Sequence, residues 1–173
     1  MDGVPYKVIE YNHKMLGRGS SSVNVKIRNL IDGKILDKTF KGSENIDSAD
    51  VSSRPLQYLY CDGGEYHFMD SENYEQFSLS SAQIEDRKGY LTEGGNVTGQ
   101  FFDNRLISVE LPKNLPLKVT YTEGAVRGDT STAVTKNATL ETGLIVKVPA
   151  FIKQGDIISV DTTTGAYRER VKS

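Results

Sequence analysis

The sequence predicts an all-β protein built from several small barrel units. Short runs rich in Val, Ile, Tyr and Phe recur along the 173 residues, and sixteen glycines and five prolines separate them. No long stretch keeps apolar residues at helical spacing, so we expect at most two short helices. A chain of this length can form one large domain or two to three small ones.

The first two predicted strands form a hairpin. Two alternating runs, 6–11 and 23–30, flank Gly17, Arg18 and Gly19, and the glycines permit the positive φ angles of a tight loop. We therefore expect Arg18 at the apex, with its guanidinium facing outward. A solvated turn arginine without further function is the plain alternative.

The later strands are predicted in the same way, from alternating runs bounded by turn residues. Asp32-Gly33 and Asp103-Asn104 are hairpin turn signals. The remaining predicted strands lie at 34–40, 56–61, 65–69, 97–103, 105–111, 117–122, 144–148, 157–162 and 166–171. Two segments, 71–77 and 81–93, are the helical candidates.

Changes of pattern along the chain predict three units. A polar linker follows Lys41, and Pro112 and Pro116 bracket a second boundary. The predicted domains are 1–47, 48–111 and 112–173. The second and third each hold about five short strands, which fits the small Greek-key barrel that is widely used to bind oligonucleotides. Short linkers between units of this size predict an elongated, bent arrangement.

Charge is distributed unevenly along the chain. Residues 1–41 carry eight Lys/Arg and four Asp/Glu, residues 42–111 carry four and thirteen, and residues 112–173 carry nine and six, within a net charge of −2. Basic outer blocks suit contact with nucleic acid, while the acidic middle stays clear of it or meets a basic protein. Solvated faces of uneven sign are the alternative.

Several classes of function are disfavoured by what the sequence lacks. No apolar run approaches the ~20 residues of a membrane span, and no export signal is recognisable, so we expect a cytoplasmic protein without membrane contact. Ser20, His13 and Asp2 can be written as a catalytic triad. No nucleophile elbow or phosphate-binding loop accompanies them, so we assign no catalytic residue and expect a protein that is not an enzyme.

Metal and cofactor sites are also not expected. The carboxylates Asp62, Glu65, Asp70 and Glu72 do not have the spacing of a calcium loop, and a solvated acidic face is the preferred interpretation. The single cysteine, Cys61, cannot form an internal disulfide and is expected in a strand. His67 lies among strand aromatics, where a core or half-buried position is expected.

A set of specified positions lies between residues 136 and 155. It consists of Lys136-Asn137-Ala138, Gly143, Val146, Val148-Pro149, Ile152 and Gly155. This stretch resembles the signature of the bacterial elongation factor P family. Further similar segments, spaced without large insertions, are 26–30, 38–41, 58–60, 66–69 and 128–130.

The resemblance implies a fold and a function. The fold is an N-terminal SH3-like, KOW-type domain followed by two OB-fold barrels in an L-shaped, tRNA-like arrangement. The function is that of a monomeric factor that binds the ribosome between the peptidyl and exit sites, beside peptidyl-tRNA. There it promotes peptide-bond formation at consecutive prolines. A paralogue with narrower targets stays open as an alternative, as does a free-standing tandem OB-fold module for single-stranded nucleic acid.

The resemblance also implies roles for individual residues. Arg18 would contact the CCA end of the tRNA, and Gly17 and Gly19 would allow close approach. The further candidates for RNA contact are Lys14, Lys26, Arg28, Gly128, Asp129 and Thr130. None of these residues needs to act as an acid or a base, because the proposed effect is positioning.

The chain departs from the family pattern in two places. Family members usually carry a further stretch before Asp2-Gly3, so we expect either a truncated or misassigned start or a domain 1–47 that lacks its first strand. The commonest family loop has lysine in place of Arg18 and proline in place of Leu16. One branch has arginine there, and a modifying enzyme attaches rhamnose to it. Arg18 is therefore a candidate modification site, although residues 20–22 differ from the loop of that branch.

Overall fold

The computed structural model describes residues 1, 3–16, 20–41, 44–124 and 135–171. These ranges contain thirteen β-strands and a single 3₁₀ turn at Lys88–Tyr90, and they contain no α-helix. The strands are β1 (Tyr6–Leu16), β2 (Ser20–Asn29), β3 (Ile35–Lys41), β4 (Ser52–Asp62), β5 (Glu65–Asp70), β6 (Gln76–Ser80), β7 (Asn96–Phe102), β8 (Arg105–Glu110), β9 (Asn114–Thr122), β10 (Thr135–Leu140), β11 (Ile145–Pro149), β12 (Ile157–Asp161) and β13 (Tyr167–Arg170). The predicted all-β class is confirmed. Within the described residues, no helix has the length and apolar character that a membrane span requires.

The strands form three antiparallel sheets. Their orders are β1–β2–β3, β6–β5–β4–β7–β8 and β11–β10–β9–β12–β13. The two five-stranded sheets have the same topology, because in each the first strand lies at the centre and pairs with the second and the fourth. Five short strands in each of these sheets agree with the barrel units that the sequence predicts.

The chain folds into two compact units. One consists of Met1–Glu85 with Asn96–Glu110 and holds the three-stranded sheet and the first five-stranded sheet. The other consists of Asp86–Gly95 with Leu111–Ser173 and holds the second five-stranded sheet. The finer division into the three domains given above stays a prediction.

The core of the first five-stranded sheet follows the two-residue period of its strands. In β7, Val97, Gly99 and Phe101 are buried and alternate with more exposed residues. Gly99 is required by close packing, because a Cβ at this position would lie 2.5 Å from a methyl carbon of Leu56. Side chains from β4, β5 and β8 complete this core; they are Leu56, Tyr58, Phe68, Leu106, Ile107 and Val109.

The core of the second unit contains nine buried apolar residues. They are Leu117, Val119, Ala138, Leu140, Val146, Val148, Ile152, Ile158 and Val160. Four of the positions that carry the sequence resemblance, Ala138, Val146, Val148 and Ile152, are therefore core residues. The signature is thus in large part a packing pattern of this barrel.

Both helical predictions are wrong. Segment 71–77 is a turn followed by the start of β6, because the Oδ1 atom of Asp70 accepts the N–H groups of Glu72 and Asn73. This side-chain turn competes with helix formation. Segment 81–93 contains only turns and the 3₁₀ turn.

Two strands were not predicted. The strand β6 directly follows the Asp70 turn, and β10 is mostly polar, with Ala138 and Leu140 as its only apolar residues. Elsewhere the predicted strands are confirmed with shifted ends. Cys61 lies in β4 and is exposed, and His67 lies in β5 and is half-buried, as expected.

Candidate nucleic-acid interface

A long antiparallel hairpin forms the first part of the candidate interface. Strands β1 and β2 pair from Tyr6 opposite Asn29 to Leu16 opposite Ser20, with one bulge between Val8 and Glu10. The two strands of the predicted hairpin are thus confirmed and are longer than predicted. The predicted tip lies outside the described residues; it comprises Gly17, Arg18 and Gly19.

Lys26 lies on the polar face of this hairpin. Val25 and Ile27 on either side of it are buried, so the alternation of β2 places Lys26 on the opposite face. Its Nζ lies 3.8 Å from an Oε atom of Glu10, and both side chains are well exposed. Exposed ion pairs of this kind contribute at most ~1 kcal/mol, so the ammonium can exchange Glu10 for another anion at little cost.

The other RNA-contact candidates differ in what the structure shows of them. Arg28 is half-buried in β2 opposite Lys7, and its Nε atom is shielded from solvent. The backbone of Lys14 lies in β1 opposite Ser22, and its side chain is outside the described part of the chain. The loop candidates Gly128, Asp129 and Thr130 are outside it as well. The structure therefore brings Lys26 and Arg28 together on one strand.

Exposed aromatic residues of the middle stretch, Tyr60 and Tyr74, lie in acidic surroundings, whereas Tyr11, Tyr121 and Phe151 are exposed in the outer parts of the chain. Tyr60 is 47% exposed, and its ring stacks on that of His67 with the centroids 4.6 Å apart. Stretch 55–86, which contains both rings, has no Lys or Arg. A stacking platform for single-stranded nucleic acid needs basic neighbours along the backbone path. The acidic surroundings of the Tyr60–His67 stack therefore disfavour this stack as a platform of a free-standing nucleic-acid module.

One carboxyl group has a strongly perturbed pKa. Asp161 is buried at the end of β12, and one of its oxygens accepts hydrogen bonds from the Nε and Nη2 atoms of Arg168. The other oxygen accepts the N–H groups of Thr163 and Thr164 at 2.9 and 3.0 Å. The Arg168 hydrogen bonds, reinforced by these backbone donors, hold the pKa of Asp161 well below its ordinary value. These contacts stabilise the turn between β12 and β13.

A metal site needs three or more donor side chains that converge, here among the residues that the structure describes. No three His, Cys, Asp or Glu residues there are arranged to hold a metal ion. Asp70, one of the four carboxylates considered in the sequence, instead uses its Oδ1 atom to fix the turn after β5.

One residue at the base of the hairpin was missed by the sequence reasoning. Gln83 donates from Nε2 to the backbone carbonyl oxygens of Leu30 and Ile31, directly after β2. No signal in the sequence identifies this contact, because Gln83 lies in a segment predicted to be helical and 53 positions from Leu30.

Family models match nearly the whole chain. The models are described as the elongation factor P KOW-like domain, which matches residues 1–46, the elongation factor P OB domain, which matches 51–109, and elongation factor P, C-terminal, which matches 115–170.

Curated relatives named elongation factor P are similar over almost their full length. The protein from Moorella thermoacetica is 44% identical over 170 residues, which cover 98% of this chain and 92% of the relative. Those from Wolinella succinogenes and Carboxydothermus hydrogenoformans are 41% and 44% identical, and each alignment covers 99% of this chain and 92% of the relative. Among solved structures, eukaryotic translation initiation factor 5A from Methanococcus jannaschii matches with a TM-score of 0.45 and 20% identity, over 63% of this chain and 82% of that one.

Proposed function

Because this chain belongs to the elongation factor P family of translation factors, we propose that it binds the ribosome beside peptidyl-tRNA and relieves stalling at consecutive prolines. Proline is a secondary amine with a fixed φ angle, so it is poorly placed both as the attacking group and in the nascent chain. A factor that holds the CCA end of the tRNA in a reactive geometry lowers this barrier through positioning. We expect it to act as a monomer in the cytoplasm, between the peptidyl and exit sites.

The β1–β2 hairpin is the observation that carries this proposal. Its register is continuous up to Leu16 and Ser20 apart from one bulge, so two long paired strands lead directly to the segment that contains Arg18. A guanidinium is a rigid donor that pairs with phosphate through two hydrogen bonds at once. In the proposal, Arg18 contacts the CCA backbone, while Lys26 and Arg28 contact phosphates further along the RNA.

The proposal is tested with Arg18→Ala. The change removes one side chain and keeps both flanking glycines, so we expect the free energy of unfolding to change by no more than about 0.5 kcal/mol. Ribosome binding should persist through the other contacts, while most rescue of a polyproline reporter is lost. The measurement is a reconstituted translation assay together with ribosome co-sedimentation.

Lys34→Ala is the matched control for this test. Lys34 is also a cation in a hairpin turn, its side chain is 77% exposed, and it pairs with Asp32 at 3.4 Å. We expect this variant to rescue at the wild-type rate. Wild-type rescue by Arg18→Ala, in an assay where the unaltered factor is active, would contradict the proposed role of Arg18.

Arg18 is also the proposed site of a covalent modification. Arginine stands where most family members have lysine, and a deoxyhexose attached to the guanidinium by a separate enzyme is the modification to test, although residues 14–16 and 20–22 differ from the loop of the branch that carries it. Intact-mass and peptide mass spectrometry of protein from its native host measures this directly. An unmodified peptide would show that the bare guanidinium performs the positioning.

A further inference from the structure

The base of the β1–β2 hairpin is held by one side chain from the neighbouring sheet of the same compact unit. Gln83 lies in the turn after β6, and its Nε2 atom donates to the carbonyl oxygens of Leu30 at 3.1 Å and Ile31 at 3.2 Å. Leu30 is the first residue after β2. The contact therefore joins the end of a hairpin strand to the first five-stranded sheet.

All hydrogen-bonding positions of the Gln83 amide are occupied. Its Oε1 atom accepts from the backbone N–H of Ser80 at 2.9 Å and from the Ser80 hydroxyl at 3.0 Å. A glutamine amide has two N–H donors and an oxygen with two lone pairs, so these four bonds saturate it. The orientation of the amide is thereby fixed, because the carbonyls of Leu30 and Ile31 can only accept.

Close packing between Gly33 and Ala82 also joins the two turns that Gln83 connects. Gly33, in the turn between β2 and β3, has a φ of +76°, and a Cβ there would lie 2.9 Å from the carbonyl carbon of Ala82. Hydrogen bonds within each turn fix its own shape, since the backbone N–H of Ile31 donates to the Asn29 side chain and the backbone N–H of Gln83 donates to the carbonyl oxygen of Ser80. The two turns can therefore meet in only a narrow range of orientations.

We propose that Gln83 is a positioning residue that fixes the direction of the β1–β2 hairpin relative to the first five-stranded sheet. This inference rests on the proposed function of Arg18. The ten residues of β2 span about 33 Å. A rotation of about 5° at the base therefore moves the Ser20 end by about 3 Å, whereas a misplacement of about 1 Å can cost a positioned reaction about a hundredfold in rate.

The test compares Gln83→Glu, Gln83→Ala and Gln76→Glu. Glutamate at position 83 keeps the acceptor for Ser80 but turns an oxygen towards the two carbonyls that Gln83 now donates to, and alanine removes all four bonds. Gln76→Glu makes the same charge change at an exposed position of β6. The measurement is the rate of polyproline rescue as a function of factor concentration.

We expect both Gln83 variants to lower the rescue rate at saturating factor by at least about tenfold, with the half-saturating concentration changed by less than about twofold. A folding defect has a different signature, because it lowers the amount of active factor and additional factor restores the rate. Gln76→Glu should behave as the wild type does.

A second measurement does not depend on translation. Residual dipolar couplings of the backbone amides should fit one alignment tensor for β1–β3 and β4–β8 together in the wild type. They should require two tensors in Gln83→Glu. A wild-type maximal rate for both Gln83 variants, with rescue lost in Arg18→Ala, would overturn the role of Gln83 and leave the proposed function standing. If Arg18→Ala also rescues, the proposed function fails, and the couplings alone decide whether Gln83 orients the hairpin.

Discussion

The three-stranded sheet and the barrel of the second unit differ in how much apolar surface they bury. In the described part of β1–β3, Val25 and Ile27 are buried, while Val8, Tyr11 and Ile35 are more than half exposed. The second unit buries nine apolar side chains in one cluster. Burial of apolar surface is the main source of folding stability, so the barrel contributes more of that stability. The surface of the three-stranded sheet stays exposed and is available for contacts with other molecules.

The largest effect that tests this comparison is expected in the barrel core. Ile158→Ala should lower the free energy of unfolding by about 2–5 kcal/mol, because Ile158 is fully buried and its removal leaves a cavity. The matched change Ile35→Ala, at a position that is 52% exposed, should cost less than about 1 kcal/mol. Denaturant unfolding measures both. Equal losses would show that the three-stranded sheet is as important for stability as the barrel.

The pH dependence of the free energy of unfolding tests a polar contribution to the stability of the second unit. The folded-state pKa of Asp161 is lowered by Arg168 from the ordinary value of 3.8, so the carboxylate stabilises the fold above that pH. This contribution is lost as the pH falls below about 4 and the carboxyl group takes up a proton. We expect Asp161→Asn to lower the Tm at pH 7 and the difference from wild type to shrink at lower pH.

Glu169→Gln is the control for this pH series. Glu169 is exposed in β13, so the substitution removes a nearby negative charge without touching the Asp161 contacts. Its Tm should follow that of the wild type at each pH. A constant difference between Asp161→Asn and wild type across the acid range would show that the ionised carboxylate is not the source of the stabilisation.

Salt dependence tests the exposed face of the three-stranded sheet. If Lys26 contacts a phosphate, ribosome affinity should fall as salt rises, and Lys26→Ala should reduce the slope by about one. Arg28→Ala should reduce it by a similar amount. Arg105→Ala, at an exposed position of β8 in the acidic middle block, should leave the slope unchanged. Affinity that does not respond to salt in the wild type would refute the electrostatic contribution of this face.

The smallest expected effect concerns two turns with the same backbone hydrogen bonds. The backbone N–H of Asp70 donates to the carbonyl oxygen of Glu75 in one turn. In the other turn, the backbone N–H of Asp161 donates to the carbonyl oxygen of Ala166. The left-handed position is Tyr74 (φ 62°) in the first and Gly165 (φ 71°) in the second. A tyrosine is strained there, so Tyr74→Gly should stabilise the protein by about 0.5–1 kcal/mol.

Gly165→Ala is the reciprocal change. A Cβ at Gly165 would lie 3.2 Å from the Tyr90 hydroxyl and would adopt the same unfavourable φ, so a loss of about 1 kcal/mol is expected. Thermal unfolding of both variants measures the pair. Destabilisation by Tyr74→Gly would show that contacts of the tyrosine ring outweigh the backbone strain.

The sequence predicts most strands because alternation records which side of a strand is buried. It fails where local side chains compete with that pattern, as at Asp70, and where a strand is mostly polar, as in β10. The glycines beside Arg18 predict a turn, since their conformational freedom is a local property. The contact of Gln83 with Leu30 depends on tertiary structure and has no local signal. The half-burial of Arg28 is likewise a tertiary effect.

The strand orders also determine how far apart in sequence the paired strands lie, and therefore how large a loop must close during folding. Strands β1, β2 and β3 pair only with sequence neighbours, so their ladders can close within microseconds. Each five-stranded sheet instead pairs its central strand with a partner about forty positions away, as in Leu56 with Val97 and Leu117 with Ile158. Closing such loops is slower, because chain entropy is lost before the contacts form. We therefore expect the three-stranded sheet, which buries the fewest side chains among the described residues, to form its strand pairs before the other two sheets. Its strands are also the first that are synthesised.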